Sequence, residues 1–500
     1  VALNAATGEM KWMHSEDEGE RGANAPRQLS GRGLAYWTDG TEERILYVTP
    51  GYRMIALNAK TGARVPGFGV DGVVDLKLDD DQQMDLVTGE VGLHSTPVVA
   101  RNVVIVGAAH RSGGVPRVKN NVRGYIRGFD VKTGKRLWIF HTIPLPGEVG
   151  YNTWEKDSAG STGNAGSWGQ ISVDEQLGLA YLPIELPTGD YYGGHRPGNG
   201  LFGESIVAVD LQTGARKWHY QLVHHGIWDF DIPCAPVLVD VTVNGKPVKA
   251  LAQPTKQSIL YVLNRVTGEP VWPIEERPVE QSTVPGEKTS PTQPFPTKPP
   301  FYGRNGFAMS DILDFTPEIK ALGEKLASRY KIGPIFTPPA ESKPDGPLGT
   351  LSIGSTIGGT NWFGGSHDPE TGIFYVFSQG LVGSLSLVRL TDTVGELRTS
   401  VRPPSRQVLW RCDTRCRPPR SRARRPRAAR RACIFATGHP RPSPSSPATA
   451  ARRPRPGGSS TSSSTGRRGG PCGRPARCAG RWSGSPRRPA WQPEPEADRR

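Results

Sequence analysis

The segment IVAVDLQTGARKW, residues 206–218, decides the fold of this chain. Its alternating apolar residues are typical of a half-buried strand, Asp210 can start a turn, Gly214 can supply a positive φ, and a second strand follows. Five more copies of this hairpin occur in the 500 residues: VALNAATGEMKW (1–12), MIALNAKTGARV (54–65), RGFDVKTGKRLW (127–138), LYVLNRVTGEPVW (260–272) and the degenerate HDPETGIFYV (367–376). Such a unit cannot bury its own apolar face and must stack on its neighbours. The pattern therefore predicts an all-β fold, a β-propeller of four-stranded antiparallel blades.

Tryptophan closes four of the six copies, at equivalent positions: Trp12, Trp138, Trp218 and Trp272. We expect these indoles to dock one blade against the next. A single clear helix is predicted over DFTPEIKALGEKLASRY (314–330), because Thr316 can cap it and Pro317 suits its first position.

The charge of the chain is unevenly distributed. The formal net charge is +15, but residues 401–500 contain 25 arginines, no lysine and only four carboxylates, which gives this stretch +21. The other 400 residues therefore carry −6, which argues against nucleic acid as a partner of the patterned part. Only Cys234 of the six cysteines lies before residue 401, and this excludes a disulfide framework there.

The repeat pattern stops between residues 380 and 402, so the expected domains are a partial propeller over 1–385 and an Arg-, Pro- and Ser-rich tail over 386–500. Such a tail cannot bury enough apolar area to offset an ordering entropy of about 1–2 kcal/mol per residue, and it is predicted to be disordered. Arginine without lysine is also what GC-rich DNA encodes in a shifted frame. We favour the frame shift over an arginine-rich nucleic-acid-binding arm, because the stretch begins abruptly inside a repeat array that still lacks blades.

Some candidate functional residues lie outside the repeat. Three tryptophans have glycine- or aspartate-rich neighbours: Trp168 in NAGSWGQ, Trp228 in HHGIWDFD and Trp362 in GGTNWFGG. Small neighbours let a flat ligand stack on an indole; core packing is the alternative for each. Lys256 directly precedes an apolar strand, where it is either a buried donor to an anionic ligand or a surface lysine.

The densest polar cluster is VHHGIWDFDIP, residues 223–233. Adjacent His224 and His225 could bind zinc, but no further ligands have the required spacing, and neighbours on a strand face opposite ways. Carboxylates are ligands of Ca²⁺ and also serve as bases, so Asp229 and Asp231 are the better candidates.

The Asp/Asn-x-x-Thr-Gly-x-x-x-Trp repeat resembles the blade motif of pyrroloquinoline quinone (PQQ) dehydrogenases. HHGIWDFD, with Lys256 27 residues after Asp229, is similar to the active-site pair of the membrane glucose dehydrogenase branch. Three more stretches fit that branch: SPTQPF (290–295), GPIFTPP (333–339) and GGTNWFGGSHDPETG (358–372). The branch also lacks the vicinal cysteine pair of methanol and ethanol quinoproteins, and no Cys-Cys occurs here. The resemblance covers most of residues 1–380 and implies an eight-bladed propeller, of which this chain holds an incomplete part.

The resemblance also implies a role for individual residues. Asp229 would be the general base and a calcium contact, and Lys256 would hydrogen-bond the reactive quinone edge. Trp168 would lie under the tricyclic ring. The remaining cofactor contacts would be Thr188, Asn361, Trp362 and Arg32, the last beside the cofactor carboxylates.

Two positions depart from the glucose enzymes. Gln28 stands where they have a histidine, and His110 and Arg111 replace an acidic and amide pair, so Gln28 and Arg111 are also expected at the cofactor. Glu185 lies near the place where relatives bring metal ligands and is expected to complete the calcium shell with Asp229. These departures bear on the substrate more than on the cofactor.

Together these features predict a PQQ- and calcium-dependent dehydrogenase that oxidises a sugar or alcohol by base-assisted hydride transfer and passes electrons to ubiquinone or a cytochrome. The alternative is a non-catalytic propeller scaffold of the outer-membrane assembly type, which does not need a base, a lysine and a stacking indole together. The resemblance implies the periplasm or the periplasmic face of the inner membrane. No apolar run approaches the roughly 20 residues of a membrane helix, so membrane association is expected only through a segment upstream of Val1.

Overall fold

The computed structural model describes residues 1–28, 33–111, 120–354, 356–389 and 410–412, and strands dominate these ranges. In chain order the strands are β1 (Ala2–Leu3), β2 (Met10–Trp12), β3 (Ala35–Thr38), β4 (Glu43–Val48), β5 (Arg53–Asn58), β6 (Val73–Asp75), β7 (Val91–Gly92), β8 (Val98–Ala100), β9 (Val103–Val106), β10 (Ala109–His110), β11 (Ile126–Asp130), β12 (Arg136–Phe140), β13 (Ser172–Asp174), β14 (Leu179–Pro183), β15 (Ser205–Asp210), β16 (Arg216–Gln221), β17 (Val237–Val243), β18 (Lys246–Pro254), β19 (Leu260–Asn264), β20 (Ile274–Pro278), β21 (Thr292–Pro296), β22 (Ala340–Glu341), β23 (Thr350–Ile353), β24 (Gly365–Asp368), β25 (Ile373–Val376), β26 (Val382–Arg389) and β27 (Trp410–Cys412). The helices are α1 (Gly19–Ala23) and α2 (Pro317–Ala327), with short 3₁₀ segments at Tyr151–Thr153, Glu155–Gly160 and Met309–Asp311.

The four-stranded antiparallel sheets that the repeat predicts are present. Strands β3–β6 form one, β8, β9, β11 and β12 form the second, and β13–β16 form the third, each as a meander. A three-stranded sheet, β17–β19, and the hairpins β20–β21 and β24–β25 follow. β26 pairs in parallel with β22 and antiparallel with β23 and β27.

The turn of each repeat has the predicted chemistry. In the copy at 206–218, Asp210 Oδ1 accepts hydrogen bonds from the backbone N–H of Gln212 and from the backbone N–H and hydroxyl of Thr213, at 3.0–3.1 Å. Gly214 has a φ of 69° and donates its N–H to the Asp210 carbonyl at 2.9 Å. The aspartate and the glycine therefore hold the tight connection between β15 and β16.

Three of the four repeat tryptophans pack between successive copies as predicted, whereas no atom of Trp272 lies within 4 Å of a Cβ on Gly372, the glycine of the last copy. A Cβ on Gly214 would lie 2.7 Å from the Trp138 ring, and Trp138 Nε1 donates to the Leu211 carbonyl at 3.0 Å. The equivalent contacts join Trp12 to Gly62 and Ala59, and Trp218 to Gly268 and Arg265. The core correspondingly lies between successive sheets, where two large apolar clusters join β3–β6 to β8–β11 and β8–β12 to β13–β15.

The predicted helix is confirmed. α2 begins after Thr316, whose hydroxyl accepts from the Ile319 N–H at 3.3 Å, and Pro317 is its first residue. None of the helices in the described ranges is long and apolar enough to cross a membrane. Of the expected tail, residues 390–409 and 413–500 lie outside the described part of the chain.

Candidate active site

Lys256 is buried and uses its ammonium group entirely on two aspartates. Its Nζ donates to the Asp229 carbonyl at 2.8 Å, to Asp229 Oδ1 at 2.9 Å and to Asp231 Oδ2 at 3.0 Å. An ammonium group has three donors, so each is directed at an oxygen of the protein. The side chain is 4% exposed, and pairing with two carboxylates is what makes its burial tolerable.

The backbone around these residues is unusual. Asp229 lies in the loop after β16 with a φ of 58°, in the left-handed region that costs a non-glycine residue on the order of 1–3 kcal/mol. Lys256 lies in the turn between β18 and β19, and its carbonyl accepts from the Gly359 N–H at 2.7 Å. A Cβ on Gly358 would lie 2.5 Å from the Lys256 Cβ, so this glycine is required for the close approach.

Trp168 is anchored to the same cluster. Its indole Nε1 donates to Asp231 Oδ2 at 3.2 Å, the oxygen that also accepts from Lys256. The other oxygen of Asp231 accepts from the backbone N–H of Leu186 at 3.2 Å. The half-buried indole is therefore fixed by a carboxylate that is itself held on both sides.

The pKa values of Asp229 and Asp231 are shifted in opposite directions. Burial, opposed by Lys256 and reinforced by Asp231 and Asp190, raises the pKa of Asp229 well above its ordinary value. Burial raises the pKa of Asp231 as well, but the charge and hydrogen bond of Lys256, together with hydrogen bonds from Asp229 and the Leu186 N–H, lower the pKa of that carboxyl overall. Burial lowers the pKa of Lys256, and the two carboxylates more than reverse this. The arrangement is an ionised Lys256–Asp231 pair beside a more basic carboxylate, which suits a general base.

Glu185 supplies an uncommitted oxygen close by. The residue is 3% exposed, and its Oε1 has no hydrogen-bond partner. Burial and the negative charge of Asp231 raise its pKa well above the ordinary value. A buried carboxylate oxygen of this kind suits a hard cation such as Ca²⁺. Within the described ranges no three acidic, histidine or cysteine side chains converge as a preformed metal site.

The other predicted cofactor residues are placed as follows. Thr188 is buried, and its hydroxyl accepts from the Gly163 N–H at 3.1 Å. Asn361 lies in the loop that packs on Lys256, and its backbone carbonyl accepts a hydrogen bond from the Cys234 thiol at 3.0 Å. Trp362 is 47% exposed, with its ring 4.3 Å from that of Phe363.

Two of the predicted cofactor residues, Gln28 and Arg111, make their contacts outside the cluster of Lys256, Asp229 and Asp231. Gln28 is exposed and donates to the Ala23 carbonyl at 2.9 Å. Arg111 Nε lies 3.7 Å from Glu90 Oε1. The structure therefore does not join Gln28 or Arg111 to Lys256, and Arg32 lies outside the described residues.

The adjacent histidines do not share a ligand. His224 Nε2 lies 3.0 Å from Glu276 Oε1, whereas His225 Nε2 lies 2.7 Å from Glu287 Oε1. The two rings thus contact different carboxylates. Trp228 follows the core alternative, since it is 2% exposed and stacks on Phe230.

Four residues at this site had no sequence signal that singled them out. The Tyr191 hydroxyl donates to Asp229 Oδ2 at 3.0 Å. Asp190 accepts from the Asp229 N–H at 3.3 Å, and burial together with Asp231 raises its pKa to about 6. Burial lowers the pKa of Arg27, against the attraction of Glu185 and Asp231. The fourth is Glu287, the partner of His225.

Comparison with known proteins gives a consistent result. A family model described as "PQQ: Glucose/ethanol/alcohol dehydrogenase, beta-propeller domain" matches residues 1–416. The quinoprotein glucose dehydrogenase of Escherichia coli (strain K12) is 32% identical over 385 residues, 74% of this chain and 46% of that protein. The glycerol dehydrogenase large subunit of Gluconobacter oxydans (strain 621H) is 32% identical over 383 residues, 75% and 49% respectively. The chain spans about half the length of these curated relatives.

Solved structures support the β-propeller fold. A quinohemoprotein alcohol dehydrogenase from Pseudomonas putida HK5 aligns with a TM-score of 0.53 at 23% identity, over 77% of this chain and 48% of that one. A europium-containing methanol dehydrogenase aligns with a TM-score of 0.53 at 22% identity, over 78% and 59%. Together with the meandering sheets, these alignments confirm the predicted architecture.

Proposed function

The chain belongs to the family of PQQ-dependent glucose, ethanol and alcohol dehydrogenase β-propellers, and on that premise we propose that it oxidises the CH–OH group of a sugar or alcohol with PQQ and Ca²⁺. One observation carries the proposal: a buried lysine binds two aspartates, and one of these also holds the indole of Trp168. A cation, a base and a stacking surface are thereby joined through three hydrogen bonds.

The residues fit a flat, anionic ligand. PQQ carries three carboxylates and an ortho-quinone that accepts a hydride, and bound Ca²⁺ would add Lewis-acid polarisation. Trp168 offers an aromatic face beside Gly169, where a Cβ would lie 2.6 Å from the Pro233 carbonyl. Lys256 offers the positive charge that a quinone oxygen attracts as it gains electrons.

Asp229 is the base in this proposal. Its burial favours the protonated carboxyl, so it accepts a proton from a substrate hydroxyl more readily than an exposed aspartate does. Asp231 is the less basic of the two and keeps Lys256 and Trp168 in position. With the hydroxyl proton on Asp229, the substrate carbon would become a better hydride donor, and bound PQQ would supply the acceptor.

Glu185 is the proposed calcium ligand together with Asp229. The unpartnered Oε1 supports this assignment, and the carboxylates of Asp190 and Asp231 make the surroundings electronegative. We further propose ubiquinone or a cytochrome as electron acceptor and the periplasm as compartment. A scaffold would have no use for a strained aspartate beside a buried lysine.

The test is reconstitution of the full chain with PQQ and Ca²⁺, followed by dye reduction with sugars and simple alcohols. Asp229→Asn should lower turnover by about 10²–10⁴-fold, because the base is lost. PQQ binding, followed by absorbance, should change little. Asp71→Asn, at a side chain that is 76% exposed, is the matched control and should behave like the wild type. A wild-type chain that neither binds PQQ nor reduces the dye would refute the proposal.

A further inference from the structure

Asp229 is held at both of its carboxylate oxygens. Lys256 Nζ donates to Oδ1 at 2.9 Å, and the Tyr191 hydroxyl donates to Oδ2 at 3.0 Å. A carboxylate bound on both sides cannot turn about its Cβ–Cγ bond without losing a hydrogen bond. Each carboxylate oxygen has two acceptor sites, so Oδ2 keeps one for another hydroxyl.

Packing fixes the direction of the Tyr191 hydroxyl. The side chain is 8% exposed and belongs to the apolar cluster that contains Trp228, Phe230 and Phe336. Its ring therefore has little freedom to turn away from Asp229.

The backbone on both sides of the contact is also tied together. Asp229 donates its N–H to the carbonyl of Asp190, the neighbour of Tyr191, at 3.3 Å. The Arg196 guanidinium joins the same two loops, since it donates to the carbonyls of Gly189 and Gly226 at 3.0 and 2.5 Å. The hydroxyl and the carboxylate thus belong to one braced unit.

We propose that Tyr191 is a positioning residue for the base: it fixes the plane of the Asp229 carboxylate so that the free acceptor site of Oδ2 faces the substrate hydroxyl. This inference rests on the proposed function. In the step concerned, the substrate O–H bond breaks, its proton moves to Asp229, and the adjacent carbon gives up a hydride to the cofactor. When the reacting groups are misaligned, such a step becomes slower even though the substrate still binds. Small displacements can lower the reaction rate by up to about 10²-fold.

The neighbouring Tyr192 provides a matched control. Its hydroxyl donates to the Pro285 carbonyl at 3.1 Å, away from Asp229. Tyr191→Phe and Tyr192→Phe remove the same atom from adjacent residues, and of these two hydroxyls it is that of Tyr191 that donates to the base.

The first experiment compares both variants in the full chain loaded with PQQ and Ca²⁺. Tyr191→Phe should lower kcat by about 10-fold or more while KM stays within about twofold, since it acts on the transition state alone. Tyr192→Phe should leave both constants at the wild-type values. Equal kcat for the two variants in an active wild-type background would overturn the inference and leave the proposed function intact. An inactive wild type would overturn the proposed function and the inference that rests on it.

The second experiment needs no cofactor. Tyr191→Phe is introduced into the wild type and into Asp229→Gly, where glycine tolerates the positive φ of that position. The hydroxyl deletion should lower the urea midpoint in the wild type and change it much less in the glycine background, because the acceptor is already gone. Equal shifts in both backgrounds would show that the hydroxyl does not contact the base.

Discussion

The indole of Trp138 lies against Gly214, the glycine of the next repeat's turn, and leaves no room there for a Cβ. One residue type thus serves two needs, since Gly214 also requires a φ of 69° to form its turn. The Thr-Gly motif of one repeat and the tryptophan of the preceding repeat therefore form a single packing contact between adjacent blades.

Gly214→Ala should destabilise the protein by about 2–5 kcal/mol, the sum of a positive-φ penalty and overpacking against the indole. Gly245→Ala is the matched control, because Gly245 has a φ of 73° with no atom within 4 Å of the added Cβ. It should cost only about 1–2 kcal/mol. Urea unfolding measures both, and similar losses would show that the tryptophan contact does not matter.

Asp210→Ala should destabilise the protein at neutral pH and much less in acid. Although burial opposes it, hydrogen bonds from Thr213 and Gln212 lower the pKa of Asp210 below 3.8. Because the folded-state pKa is the lower one, the stabilisation is present above the unfolded pKa and is lost as pH falls through the folded pKa. Unfolding free energies of both proteins at pH 7, 5 and 3 should therefore converge toward the acidic end. A difference that stays constant with pH would contradict this account.

Glu287→Gln should cost about 1–3 kcal/mol, because it weakens the buried contacts of Glu287 Oε1 with His225 and of Glu287 Oε2 with the Gly193 N–H. The side chains of Glu287 and His225 are both 1% exposed, and both ring nitrogens of His225 face acceptors, Glu287 Oε1 and the Gly198 carbonyl. The comparable pair of His224 with Glu276 is a control at the surface, where Glu276 is 49% exposed. Glu276→Gln should cost no more than about 1 kcal/mol in the same thermal or urea measurement. Equal losses would rule out a special role for the buried pair.

Glu185→Gln should raise the Ca²⁺ concentration for half-maximal dye reduction by about tenfold or more, because an amide is a weaker ligand than a carboxylate. The chain is first stripped with a chelator and then titrated with Ca²⁺ in the presence of PQQ. Glu175→Gln, at an exposed position, should leave the titration unchanged. Coincident curves for the two variants would remove Glu185 from the proposed calcium site.

The sequence was sufficient for features that recur or that carry a strong local pattern. The hairpin, its turn and the stacking of Trp138 on the following repeat all follow from one repeated sequence motif. Asp229 and Lys256 were paired by resemblance, and the structure places them 2.9 Å apart.

The contacts that sequence reasoning missed join loops of no fixed period. Tyr191 and Glu287 lie 38 and 62 residues from the partners they bind, and each stands in a segment whose composition is that of an ordinary loop. These residues become important because three separate loops meet in the folded protein. No local sequence pattern encodes that meeting. The assignment of Gln28 and Arg111 to the cofactor stays a prediction; their contacts in the described structure are with Ala23 and Glu90.

All three N–H groups of the Lys256 ammonium are already used in hydrogen bonds to Asp229 and Asp231. Whatever molecule engages this ammonium must take the place of an aspartate oxygen, so the energy gained is only the difference between two charge-assisted bonds. The Asp229 carbonyl is the weakest of the three acceptors, so it is the one that a neutral oxygen displaces most readily. An oxygen that gains negative charge competes better with the two carboxylates, and the ammonium therefore favours a ligand whose oxygen becomes more basic during the reaction.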